Sequence, residues 1–342
     1  MKCTALPRLI RARYPDARIT FVTAEAQYPL LRDNPHLEAA IAFPRSEGLP
    51  GLIRLGRRLR RQGFDLVVDV HKSLRSRLLT ALIRAPKTAY SKRTLQRLLL
   101  IRLGINTYRQ ARGKETDFLA GLLPFGVQDD GKGTQLFPAP VPAGGKTPAA
   151  QVAALERLAA WRAGGRRVIG LAPVAAWPLK RWPLAHVRSL LASLARDGGY
   201  GVLLFGGPAD HDAAELAGGL EDGVISLVGQ TSHMESAFFA SQCDLMVAND
   251  TGMSHIAEAV GVNALVLFGP TSEELGYFPV RAGSRVLQRP LPCRPCSPTG
   301  KGRCGHPLRQ ACLTGIDPAQ VLAAIGEMTE GRPGEGPAGN SG

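Results

Sequence analysis

Two apolar runs set a short helix apart, Leu245–Ala248 and Ala264–Phe268, constrain this chain more than any other feature. Runs of four or five apolar residues bounded by turn residues read as strands buried on both faces. The segment between them opens with Asn249-Asp250-Thr251-Gly252 and continues as a small-residue helix that presents His255 one turn in. The result is a strand–loop–helix–strand unit, and similar alternation along the whole chain predicts an α/β fold with parallel sheets. The polar residues fall at the carboxyl end of the first strand, where open α/β sheets bind ligands. Free N–H groups at the helix start and the bare backbone of Gly252 suit a phosphate. Equally, Asp250-Thr251 can serve as an ordinary N-cap.

The remaining pattern predicts a helix over Ala5–Tyr14, a strand over Arg18–Val22, a short helix from Pro29 and a strand within Leu37–Phe43. An arginine-dense helix over Gly51–Gln62, a strand over Phe64–Val70 and a helix over Ser73–Ile83 follow. Residues 124–150 are rich in Gly, Pro and Ala and read as a linker. The expected organisation is an N-terminal domain at 1–128, a linker at 129–150, a C-terminal domain at 151–330 and a disordered tail at 331–342. In the second domain, helices are expected at Ala149–Trp161, Leu184–Arg196 and Pro318–Glu327. Strands are expected at Val168–Ala172, Gly201–Phe205 and Val224–Val228.

Charge divides the chain as well. Residues 1–128 carry 24 Lys/Arg against 9 Asp/Glu, whereas residues 129–342 carry 18 against 19. A basic half beside a neutral one points to two domains with different partners, the first facing something anionic. Arg54, Arg57, Arg58 and Arg61 recur at i, i+3, i+4 and i+7 on one helical face, and Arg75 follows the next strand. They suit lipid headgroups or an anionic acceptor, or else form a solvated face of a basic protein. Only 6% of residues are aromatic and no nucleic-acid module is present, which argues against nucleic acid. No stretch reaches the ~20 apolar residues of a membrane span, and no signal-peptide core is visible, so a cytoplasmic location is expected.

Asp250-Thr251-Gly252, His255 and the exit Phe268-Gly269-Pro270-Thr271 resemble the nucleotide-sugar signature of glycosyltransferase family 9. That family contains the ADP-heptose:lipopolysaccharide heptosyltransferases. The resemblance extends more weakly through Arg13–Ile19 and Phe64–Asp69. It implies the GT-B architecture, two Rossmann-like domains facing across a cleft. It also implies inverting transfer of a heptose, or a related sugar, from an ADP-activated or other nucleotide-sugar donor to an anionic lipopolysaccharide inner core. The enzyme would then sit peripherally at the cytoplasmic face of the inner membrane. The donor site implied comprises Lys180, within Trp177-Pro178-Leu179-Lys180-Arg181-Trp182-Pro183, on the phosphates. Asp210, with Asp212 as its rival, and Thr231 would lie near the nucleoside, and Asp250, Thr251, Gly252 and His255 near the diphosphate and sugar. The residues by themselves leave plainer readings open: a surface Lys-Arg pair, a β–α turn, a capping threonine and a packing histidine.

Enzymes of this architecture need no bound divalent metal, so no cofactor is expected. Cys293, Cys296, Cys304 and Cys312 form a C-x2-C-x7-C-x7-C pattern that reads either as a structural zinc knot or as a reduced cluster. Cys3 and Cys243 stand apart. The family pattern begins with a strand and a Gly-Asp loop whose Asp is its general base, whereas Met1–Pro7 here matches the helix after that loop. The first strand, the loop and the Asp are therefore expected to be absent, through an internal start or a truncation. Asp69 and His71 close a strand, but the resemblance gives neither a catalytic role, and no base is named. This gap keeps a non-catalytic sugar-nucleotide-binding protein as the alternative.

Overall fold

The computed structural model describes residues 2–90, 92–108, 114–141 and 148–330. The start at Met1 and the tail at 331–342 lie outside the described residues. The chain divides into two compact units, residues 1–95 with 112–137, and residues 96–111 with 138–342.

The first unit contains α1 (Ala5–Arg13), β1 (Thr20–Ala24), α2 (Pro29–Arg32), β2 (Ala39–Phe43), α3 (Gly48–Arg60), β3 (Val67–Asp69), α4 (Leu74–Leu82) and β4 (Lys87–Ala89). Next come α5 (Thr94–Leu103), which runs from this unit into residues grouped with the second, and α6 (Lys114–Leu119). β1 pairs in parallel with β2, Thr20 opposite Ala39, and β3 pairs in parallel with β4, Val67 opposite Lys87. These are two separate ladders. The predicted strand over Phe64–Val70 shortens to three residues because its only strand partner among the described residues, Lys87–Ala89, is that long. β1 and β3 both line a cavity of about 2050 Å³ together with α1, α3 and α4, and no residue of β1, β2 or β3 is fully buried. Helix packing supplies much of this unit's core. α1 buries Leu6 and Leu9 beside Leu119, Leu122 and Val127. α3 buries Leu52, Leu55 and Leu59, at i, i+3 and i+7, and turns its arginines outward. A Cβ on Gly56 would lie 2.5 Å from Leu82 Cδ1, so glycine is what lets α3 approach α4.

The second unit comprises α7 (Ala149–Ala163), β5 (Arg167–Ala172), α8 (Leu184–Asp197), β6 (Tyr200–Leu204), α9 (His211–Ala214), β7 (Val224–Ser226) and α10 (His233–Ser241). β8 (Leu245–Asn249), α11 (Gly252–Ala259), β9 (Ala264–Phe268), β10 (Arg285–Gln288), α12 (Ala311–Thr314) and α13 (Pro318–Thr329) complete it. Its six strands form one parallel sheet in the order β10-β9-β8-β5-β6-β7. Period-two alternation gives the sheet two apolar faces. Ile169, Leu171, Val202, Leu204, Leu245, Val247, Leu265 and Leu267 cluster with Val187, Leu190 and Leu194 of α8 and Val321 and Ile325 of α13. On the other face Gly201 leaves room for the Trp161 ring of α7, which a Cβ would meet at 2.2 Å. Strands after β5 add on one side as β6 and β7 and on the other as β8 to β10. The topological switch point therefore lies between β5 and β8, where the crevice at the carboxyl ends favours a ligand.

Candidate functional site

The residues that follow β5, β8 and β9 converge at that switch point. Lys180 stands in the loop after β5, and its Nζ lies 2.5 Å from Asp250 Oδ2 at the end of β8. Thr271, just past β9, donates its hydroxyl to the same carboxylate oxygen at 2.7 Å. Lys180 is 9%, Asp250 4% and Thr271 0% exposed, so the pair is desolvated and its geometry fixed by neighbours. The loop carrying Lys180 is tied to β8 by Asn249, which accepts from the Trp182 amide at 3.2 Å and donates to the Pro173 carbonyl at 2.6 Å. Trp182 is itself buried and donates its indole N–H to the Ile316 carbonyl at 3.0 Å. Trp182 thus pins the loop that carries Lys180.

α11 starts here with its amides uncapped. Thr251 occupies the N-cap with extended backbone, yet its side chain accepts no hydrogen bond from the helix. Its Oγ1 is buried without a hydrogen-bond partner, as is the Oγ of Ser272. The ordinary N-cap reading therefore fails on geometry, and the helix start is left open to a ligand. A Cβ on Gly252 would meet nothing within 4 Å, so open space lies above this turn. His255 is half-buried one turn further on. The back of α11 is anchored by the buried Glu258, whose Oε1 accepts from the amides of Val280 and Arg281, each at 2.9 Å, and from Ser284 Oγ at 3.2 Å.

Asp210 and Thr231 lie on the loops after β6 and β7. Gly229 donates its amide to Gly206 O at 3.0 Å, and its positive φ of 71° lets it pack against Pro208, so the two loops are adjacent. Asp210 Oδ2 accepts from the Gly207 amide at 2.7 Å and so closes the turn, with Asp212 exposed on α9. Thr231 shares a hydrogen bond with Ser236 at 2.7 Å, and Ser232 rather than Thr231 caps α10. Parallel strands bring all these loops to the same edge of the sheet as Lys180.

Three features were not foreseen from sequence. Thr271 bridges to Asp250, the Tyr277 ring lies 5.6 Å from Lys180 Nζ, and Gly300 packs on the lysine stem with φ of 83°. The loop carrying Gly300 contains the cysteine pattern. Cys293 and Cys296 are exposed, Cys304 accepts from the Gln310 amide at 3.2 Å, and Cys312 is buried. Among the described residues no three His, Cys, Asp or Glu side chains form a group able to hold a metal, so the four thiols are not gathered into a zinc geometry. Burial pushes the Cys312 thiol up to about 11 and also raises Cys296. Neither thiol is activated for nucleophilic work.

In the first unit, Arg54, Arg57, Arg58, Arg61 and Arg75 are all exposed, and Arg54 pairs with Glu47 at 2.9 Å. Asp69 is consumed locally, with Oδ1 accepting from the amides of His71 and Lys72 and Oδ2 from the Ser76 hydroxyl. A carboxylate so engaged caps the β3–α4 turn rather than serving as a free base.

Comparison with known proteins places the chain in a family. The family model described as glycosyltransferase family 9 (heptosyltransferase) matches residues 52–301. The chain is 29% identical over 304 residues to lipooligosaccharide heptosyltransferase 2 of Haemophilus influenzae, covering 84% of each chain. It is 28% identical over 301 residues to lipopolysaccharide heptosyltransferase 2 of Escherichia coli, again covering 84% of each. Among solved structures, a glycosyl transferase family 9 protein from Veillonella parvula superposes with a TM-score of 0.73 at 22% identity, covering 96% of this chain and 93% of that one. ADP-heptose LPS heptosyltransferase II of E. coli gives 0.66 at 24% identity, covering 96% and 94%. The shared fold is the α/β fold of GT-B type.

Proposed function

Since the chain belongs to glycosyltransferase family 9, we propose that it moves a heptose from ADP-heptose to the anionic inner core of a lipopolysaccharide acceptor, with inversion at the transferred carbon. The observation that carries this reading is the buried Lys180–Asp250–Thr271 cluster beside the uncapped start of α11 at the switch point. A diphosphate seated there meets a lysine and free helix amides, the pairing that stabilises charge developing on a departing nucleoside diphosphate. Asp250 holds Lys180 in place rather than touching phosphate, because two anions would repel. Thr251 Oγ1 and Ser272 Oγ are the buried hydroxyls free to bond the donor. Asp210 and Thr231, on neighbouring loops along the same edge, are assigned to the nucleoside end, and His255 to the sugar end.

Catalysis on this reading consists of positioning plus leaving-group stabilisation. Lys180 and the helix start supply the positive charge, so transfer is expected to survive chelation of divalent metal. The acceptor is reached at the cytoplasmic face of the inner membrane. The test is transfer from ADP-heptose to a truncated lipopolysaccharide acceptor, with Lys180→Ala lowering kcat about a hundredfold or more. Nucleotide binding without transfer to any core acceptor would replace the enzyme reading with a binding role.

A further inference from the structure

Residues 70–114 hold twelve Lys/Arg and not one Asp or Glu across 45 positions. The same stretch contains six of the twelve large apolar side chains that stand exposed among the described residues: Leu74, Leu78, Leu95, Leu98, Leu103 and Ile105. Cations alone make a solvated surface and scattered leucines are ordinary. Their coincidence in an acid-free segment is not explained by either. α5 carries the strongest form of it. Leu95, Leu98 and Arg102 fall at i, i+3 and i+7 on one face, Leu95 being 68% and Leu98 53% exposed, with Leu103 and Ile105 exposed at its end. Its opposite side buries Leu100. α3 differs, because Leu52, Leu55 and Leu59 are buried and, past Leu49 in its first turn, its arginines face outward.

We propose that α5 lies on an anionic lipid surface, with Leu95, Leu98 and Leu103 entering the headgroup boundary and Arg102 meeting lipid phosphates. The inference deepens the proposed function by naming the element that reaches the acceptor's membrane. Leucines flanked by cations are the composition of an interfacial helix. Each basic side chain held at such a surface strengthens binding roughly fivefold. A second copy of this chain is the poorer occupant, since it would set the same acid-free, positive segment against itself.

Sedimentation with vesicles of phosphatidylcholine alone, and with phosphatidylglycerol added, tests the assignment on the full chain. The expected result is binding only to the anionic vesicles, weakened about tenfold or more by L95D/L98D with an unchanged thermal midpoint, because both side chains are exposed. Equal binding by the variant overturns the proposal. So does a concentration-dependent dimer that the variant abolishes while vesicle binding persists. Transfer to a deacylated, water-soluble acceptor is read in parallel. The variant is expected to keep its rate there, so a failure of transfer in the parent chain counts against the enzyme reading and leaves the vesicle result to stand by itself.

Discussion

Removing the carboxylate charge at Asp250 tests whether the proposed donor site is held together by its ion pair. In Asp250→Asn the side chain keeps its shape, but Lys180 loses the anion 2.5 Å away while only 9% exposed. Breaking one partner of a buried pair costs about 3–5 kcal/mol, whereas replacing both is close to neutral. Asp250→Asn and Lys180→Met should therefore each destabilise by about 3 kcal/mol or more, and the double variant by about 1 kcal/mol or less. Trp161, Trp177 and Trp182 are the chain's only tryptophans and all lie in the second unit, so urea unfolding followed by their fluorescence reports that unit alone. Saturating ADP sharpens the contrast. At a hundredfold excess over Kd it should add about 2.7 kcal/mol to the parent protein. It should add more to Asp250→Asn, where phosphate restores the counterion, and little to Lys180→Met. Single variants costing under about 1 kcal/mol, or energies that simply add in the double variant, would refute the argument.

Three further outcomes follow from the same geometry. Gly300→Ala combines a φ of 83° with a Cβ placed 2.6 Å from Lys180 Cγ; about 1–3 kcal/mol of strain and a fall in kcat/KM through a displaced lysine are expected from unfolding and transfer assays. Glu258→Leu strands the amides of Val280 and Arg281, and the tryptophan-monitored transition should drop by about 2–5 kcal/mol. Cys312 has its thiol raised by burial from 9.0 to about 11. The folded state thus keeps its proton where the unfolded chain loses it, so this group's contribution is intact below pH 9 and lost as pH rises from about 9 to about 11. Replacement by Ser should remove that part of the alkaline slope in denaturation measured against pH.

The second unit was legible because β5, β6, β8 and β9 are buried on both faces and bounded by Gly, Pro and Asn. β9 was predicted to the residue at Ala264–Phe268, and β5 differs by one residue at its start. The first unit was less so. β4 is Lys-Thr-Ala, which carries no hydrophobic pattern, and it forms only because Val67–Asp69 offers a ladder. β10, half exposed at the sheet edge, left no signal either. At the site, the lysine and the Asp-Thr-Gly turn stood out through their neighbours in sequence. Their relation did not, since Lys180 meets Asp250 seventy positions later and Thr271 enters from a third strand. Asp210 shows the converse. Its spacing after Gly206-Gly207-Pro208 suggested a ligand contact, while the turn itself claims one carboxylate oxygen.

The internal pairing of Lys180 with Asp250 also bears on how substrates arrive. The proposed donor site, which carries its own counterion within residues 129–342 at 18 Lys/Arg against 19 Asp/Glu, would exert little pull beyond a Debye length. A nucleotide would reach it by unassisted diffusion, at a rate nearly indifferent to ionic strength. An anionic acceptor approaching residues 1–128, at 24 against 9, would instead be steered and slowed by added salt. Ionic strength would then change which of the two substrates arrives first without altering any contact in the site.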